Sequence, residues 1–360
     1  MTKKRFLKLS ALGIALVLIY VFLSWFLVRT SSTTEMHIKS FYKEPENSMD
    51  VALIGASEMY ADYCAPLAFE KYGYTGYNLC YEGAPGQLYN AMLEIYLNRQ
   101  SPELVVIEVN GYLYSEEYCK RDVNYRRLFD NIPLSEEKLD LLEKYVADED
   151  RLSYILPLIK HHSNWRTLRY QLQRAERLIK SASDGTSKTK SFSTRTTSDS
   201  VKKHYKRRKH PGLNDFGRQS LVDTISFLHE RGIENVLFIR APHKGQMKKG
   251  TNEELESIII NGGYDYLDCD KIAEDVIGID KETDFYNDEH LNVFGCEKFT
   301  EFLGGYIDEH YSLSKQHSAE VDKQWQESAE YMSEAFVKLK ERTLVNEDDQ
   351  YYEGNIDRLF

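Results

Sequence analysis

Asp50-Val-Ala-Leu-Ile-Gly55-Ala-Ser57-Glu58 is the stretch on which the fold turns. A short apolar run stopped by a glycine fits a strand buried on both faces of a parallel sheet. Helices are expected over 66–72 and over 87–98, where Leu88, Ala91, Met92, Ile95 and Tyr96 share one face. Leu104-Val-Val-Ile-Glu-Val109 is a second continuous strand. Strand, helix, strand is the grammar of a parallel α/β sheet. It resumes after residue 213, with a helix over 215–232, strands over 235–239 and 263–268, and an amphipathic helix over 294–306. The sequence therefore predicts an α/β fold, a three-layer sandwich around a parallel sheet.

Four segments flank or interrupt this pattern. Lys3, Lys4, Arg5 and Lys8 precede an apolar run over residues 9–28 that is long enough to cross a bilayer as a helix. The run ends in Trp25-Phe-Leu-Val-Arg-Thr rather than at a small-residue cleavage site, so it reads as an anchor held in the membrane through residues 6–28. The charges before it keep the N-terminus cytoplasmic and put everything after Arg29 outside the cell. Residues 30–48, polar and without a clear period, read as a stalk. The α/β domain is expected over 49–311, with a helical insertion over about 115–212. The insertion turns basic, with sixteen Lys/Arg against three Asp/Glu over 151–210. Its centre, residues 181–200, reads as a mobile loop. The run Val201-Lys-Lys-His-Tyr-Lys-Arg-Arg-Lys209 is either a solvated loop or a contact for lipid headgroups or a phosphate-bearing polymer. Residues 312–360 read as a helical extension that packs back on the domain, with Trp325 and Tyr331 as anchors.

Composition narrows the chemistry. A net charge of -11 argues against nucleic acid as a partner. Cys64, Cys80, Cys119, Cys269 and Cys296 are scattered; only Cys64 and Cys80 are close enough in sequence to suggest a local bridge, and no metal spacing is present. No cofactor is expected. Twenty-six tyrosines suit either a core or a sugar-binding surface.

Ser57 follows the first strand, where open α/β sheets carry their sites. A serine hydroxyl needs a base, and a third group to orient that base. Asp284-Phe-Tyr-Asn-Asp-Glu-His290-Leu-Asn-Val-Phe-Gly295 offers a histidine beside several carboxylates, just before a helix. Glu58 borders the serine, and Arg240-Ala-Pro-His243 closes the third strand at the same sheet edge. His161-His162-Ser-Asn-Trp165 reads either as a sugar-facing wall or as packing of the insertion.

Together, Gly55-Ala-Ser57, Tyr77-Asn-Leu-Cys-Tyr-Glu-Gly83-Ala-Pro-Gly86, Val105-Val-Ile-Glu-Val-Asn110 and residues 284–295 resemble the SGNH/GDSL hydrolase superfamily over about residues 50–310. With the anchor and the insertion, the chain looks most like the D-alanine transfer proteins of teichoic-acid modification and related extracellular acyltransferase partners. The resemblance implies Ser57 as nucleophile and His290 as base. It implies an oxyanion hole from Gly83, with Gly86 as alternative, and Asn110. It departs from the family where Asn287 stands in place of the aspartate three residues before the histidine; Asp288 or Asp284 would then supply the charge. It also departs at Glu108-Val-Asn110-Gly, which replaces the usual Gly-x-Asn-Asp. The implied activity is an extracytoplasmic, membrane-anchored serine esterase or O-acyltransferase. It would act on acyl esters of a cell-surface polysaccharide or teichoic-acid-like polymer. A catalytically weak subunit that docks a membrane-bound O-acyltransferase is the alternative.

Overall fold

A computed structural model describes residues 2–183, 185–195, 212–245, 247–344 and 350–351. The strands are β1 (Val51–Gly55), β2 (Gly76–Cys80), β3 (Leu104–Glu108), β4 (Thr194–Arg195), β5 (Val236–Arg240), β6 (Asp265–Asp268) and β7 (Gln350–Tyr351). Five of them form a parallel sheet in the order β2-β1-β3-β5-β6, while β4 and β7 make a separate antiparallel pair. Every residue of β1, β2, β3 and β5 is buried, as continuous apolar strands in a covered sheet require. The chain leaves β1 toward β2 on one side and continues from β3 on the other. Open α/β sheets carry their sites at such a reversal, and Ser57 and Asn110 lie just beyond the carboxyl ends of β1 and β3.

β2 was hidden in the sequence because glycine and asparagine interrupt its apolar letters. A Cβ at Gly76 would meet the Leu53 side chain at 3.1 Å, so the strand spacing favours glycine there. The Asn78 amide donates to the Tyr63 carbonyl at 3.0 Å, which offsets the burial of a polar side chain. Helices Ser57–Asp62 and Lys249–Asn261 likewise escaped the sequence reading.

Two expectations are corrected. The stalk over 30–48 is largely part of the domain: helix Ser32–Phe41 buries Met36, Ile38 and Phe41, and the Tyr77 hydroxyl donates to the His37 carbonyl at 2.8 Å. Its polar residues find partners inside the protein; Glu35 is held by Arg174, with Nε 2.6 Å from Oε2. The mobile loop expected over 181–200 is, at Ser187 and over residues 189–194, buried chain. Ser193 N donates to the Tyr60 carbonyl at 3.0 Å, and Lys190 pairs with Glu44 at 2.8 Å with both side chains fully buried. The basic run 201–209 lies outside the described residues.

Helix Lys3–Leu27 is long and apolar enough to span a membrane, and no residue of its most apolar window is buried. The insertion is helical from Glu116 to Ser183 with short breaks. Helix Ala319–Leu344 packs Trp325 against Phe69, with ring centroids 5.4 Å apart. All five cysteines are buried and free, so Cys64 and Cys80 are not bridged.

Candidate active site

Ser57 opens a short helix directly after β1 and is half-buried. Its hydroxyl donates to Glu58 Oε2 at 3.3 Å. His290 reaches the same region from the loop before helix Val293–His310, and that loop is clasped to the serine helix. Leu291 N donates to Asp62 Oδ1 at 2.9 Å, and Cys296 Sγ donates to the Ala61 carbonyl at 2.9 Å.

The orientation of His290 is set by Asn287. The backbone N–H groups of Glu289 and His290 donate to Asn287 Oδ1 at 2.8 and 2.9 Å, so that atom must be the amide oxygen. His290 Nδ1 lies 3.0 Å from the same oxygen and must therefore be the protonated nitrogen. Nε2 then carries the lone pair, and it has no hydrogen-bond partner among the described residues. The ring is stacked on Tyr286 at 5.3 Å and is buried. Burial holds its pKa down to about 4, against the opposing pull of Glu58. The imidazole is thus neutral at physiological pH, with its free nitrogen ready to accept a proton. It is not hydrogen-bonded to Ser57, and such contacts are often long before substrate arrives.

Of the two carboxylates expected as alternative acids, that of Asp284 is engaged away from the histidine ring. Asp284 accepts from Asp280 N at 2.9 Å and pairs with Lys298 at 2.6 Å. Asp288 ties its loop to the next one through its carbonyl, which accepts from Lys244 N at 3.0 Å.

Asn110 is brought to the site, but its amide faces inward. Its Nδ2 donates to Glu58 Oε1 and, at 3.4 Å, to the Tyr114 hydroxyl; its Oδ1 accepts from Arg240 Nη1 at 2.8 Å. An oxyanion would have to compete with these partners. Gly83 sits in a left-handed turn, φ 66°, where a Cβ would collide with the Tyr118 hydroxyl. Gly86 packs flat against the Tyr112 ring. His161 pairs with Asp130 at 2.8 Å, and neighbouring Asn164 binds the end of helix Lys3–Leu27.

Beneath Ser57 lies a buried polar cluster that the sequence showed only in pieces. Glu108 ends β3, Arg240 ends β5, and Asp270 follows β6 by two residues. Arg240 Nη1 lies 3.8 Å from Glu108 Oε1, and Glu108 Oε2 accepts from Asn110 N at 2.8 Å. His243 Nε2 stands 3.8 Å from Glu58 Oε1, while its backbone N–H donates to Asp270 at 3.1 Å. From β4, Arg195 lays its guanidinium over the Tyr286 ring at 5.5 Å. The rule that sites gather at carboxyl ends of parallel strands would have found these residues together. Among the described residues no group of His, Cys, Asp and Glu is arranged to hold a metal ion.

Burial and the nearby Glu58 push the Glu108 carboxyl up to about 8, against the pull of Arg240. The ordinary glutamate value is about 4.3, so between these limits the folded chain holds a proton that the unfolded chain releases. This contribution to stability is full below about pH 4 and is lost as pH rises through 8. The melting temperature of the full chain in detergent should therefore fall between about pH 4 and 8 and level off above that, and Glu108→Gln should flatten that fall. An equally steep fall in the variant would assign it to other groups.

No protein-family model matches the chain, and no curated protein matches it.

Proposed function

We propose that the chain is a serine esterase or O-acyltransferase with the three-layer SGNH-like arrangement, Ser57 as nucleophile and His290 as its base. The observation that carries this reading is the Asn287–His290 contact, which leaves the histidine neutral with Nε2 bare beside the serine helix. In the reaction, Nε2 takes the Ser57 proton as Oγ attacks an ester carbonyl. His290 then returns that proton to the departing alkoxide, leaving an acyl-serine. Water or a polymer hydroxyl attacks next, giving up its proton to Nε2, which passes it to Oγ as the acyl–Ser57 bond breaks.

Asn287 replaces the charge of an aspartate with geometry alone: it fixes the tautomer and the ring, and an imidazolium gains no ion pair from it. The oxyanion would meet backbone N–H groups at Ser57 and Gly83, together with Asn110 if substrate draws its amide from Glu58. With Lys3–Leu27 crossing the membrane and the domain outside, the acyl ester would belong to a cell-surface polysaccharide or teichoic-acid-like polymer. A membrane-bound O-acyltransferase would be the natural acyl supplier.

The docking-subunit reading draws on one specific feature: the Ser57 hydroxyl is turned to Glu58 rather than to His290. A fluorophosphonate probe separates the two. The full chain in detergent is expected to label at one site, mapped to the peptide carrying Ser57, and His290→Ala should label at least about 100-fold more slowly. A folded chain that does not label would leave the docking subunit as the better reading.

A further inference from the structure

The anchor helix does not stand clear of the domain. The last carbonyls of a helix have no partner within it. Here the insertion supplies partners. Asn164 Nδ2 donates to the Leu27 carbonyl at 2.9 Å, and Arg174 Nη1 donates to the Trp25 carbonyl at 2.6 Å and the Phe26 carbonyl at 3.4 Å. The guanidinium of Arg29 lies over the Tyr170 ring, 4.5 Å from its centre. Arg174 is buried and also bonds Glu35 of helix Ser32–Phe41. The insertion therefore grips the anchor at the turn where it leaves the apolar layer. Residues 164–174 are fixed at that depth.

The same part of the insertion exposes apolar side chains. On helix Leu168–Ser183, Gln171, Arg174 and Ala175 are buried, while Leu168, Leu172 and Ile179 are 54%, 56% and 63% exposed. Those three stand at i, i+4 and i+11, one stripe along one side of the helix. Trp165 and Ile159, just before it, are 62% and 49% exposed. Water alone gives no reason to gather these residues beside a membrane helix.

We infer that this face is a second membrane attachment, with Leu168, Leu172 and Ile179 in the interfacial layer of the bilayer and Trp165 at headgroup level. Lipid is the favoured occupant because the face is continuous with the exit turn of the anchor. Exposed Arg166 and Arg169 alongside it suit phosphate headgroups. The domain is then held at a fixed height and tilt over the bilayer instead of swinging on a tether. The inference rests on Lys3–Leu27 spanning the membrane, and is independent of the chemistry at Ser57.

The test is quenching by brominated phosphatidylcholine in vesicles that carry the full chain and some anionic lipid. A bimane probe is attached at Leu172→Cys or Ile179→Cys, both exposed positions in a chain whose own cysteines are buried. Val17→Cys in the anchor and Ile260→Cys, 52% exposed on helix Lys249–Asn261, are the controls. Probes at 172 and 179 are expected to lose fluorescence as the probe at 17 does, while the probe at 260 keeps its own. Probes at 172 and 179 that behave like the one at 260 overturn the inference. So does a face shielded from a water-soluble thiol reagent in native membranes yet unquenched by brominated lipid, because protein and not lipid then covers it.

Discussion

Ser57→Ala is expected to lower ester hydrolysis by at least about 10⁴-fold, measured as kcat on p-nitrophenyl acetate with the full chain in detergent. The alanine removes the hydroxyl of the proposed nucleophile, and Ser57 is half-exposed at a helix start, so folding should survive. Asn287 provides the sharper second arm. Asn287→Ala frees the imidazole and removes the acceptor of two backbone N–H groups, with an expected loss in kcat of about 100-fold or more. Asn287→Asp keeps the acceptor and adds a charge that favours imidazolium. Because burial holds His290 down to about 4, the acid limb of kcat/KM should lie near pH 4 in the natural chain and move upward in the aspartate variant. A Ser57→Ala chain as active as its parent, or an acid limb that ignores Asn287→Asp, would remove Ser57 or His290 from the chemistry.

Arg240→Met is expected to cost about 3–5 kcal/mol of stability, read from denaturant unfolding of the full chain in detergent at about pH 9, where the Glu108 carboxyl is ionised beside Arg240. Arg240 is fully buried at the end of β5, between the Asn110 amide oxygen and the Glu108 carboxyl. Its removal leaves the Asn110 amide oxygen and the Glu108 carboxyl buried without their guanidinium. Adding Glu108→Gln removes that carboxyl and should recover part of the loss, a coupling that a double-mutant cycle measures. Purely additive costs would mean that the guanidinium and the carboxyl do not act on each other. The same cluster positions Asn110 and Glu58, so Arg240→Met should also disturb Ser57 labelling, through geometry rather than contact with substrate.

Much of the sheet was legible in the letters. Val51–Gly55, Leu104–Glu108 and Val236–Arg240 are apolar runs because both their faces are covered, and a run of that kind is a local signal. β2 was not legible, because Gly76 and Asn78 answer to neighbours, Leu53 and Tyr63, that only the folded chain supplies. Helix Ser32–Phe41 failed for the same reason. Its Glu35 looks solvent-bound until Arg174, far along the chain, turns out to be its partner. At the candidate site, Ser57 and His290 were singled out by their surroundings in sequence. The choice among Asn287, Asp288 and Asp284 did not, since all three lie within a few residues of the histidine and differ only in where the loop points them.

The sequence by itself thus determined an α/β sheet with a serine at its first strand end, and an apolar N-terminal helix of membrane-spanning length, because hydrophobic runs and their stops are properties of neighbouring residues. The tertiary structure decided that Asn287 orients His290, that Asn110 turns inward to Glu58 and Arg240, and that the insertion grips the end of helix Lys3–Leu27. Each of these is a hydrogen bond whose partner is chosen by loop geometry or by distant chain, and a backbone or side-chain donor takes the acceptor the fold brings within reach.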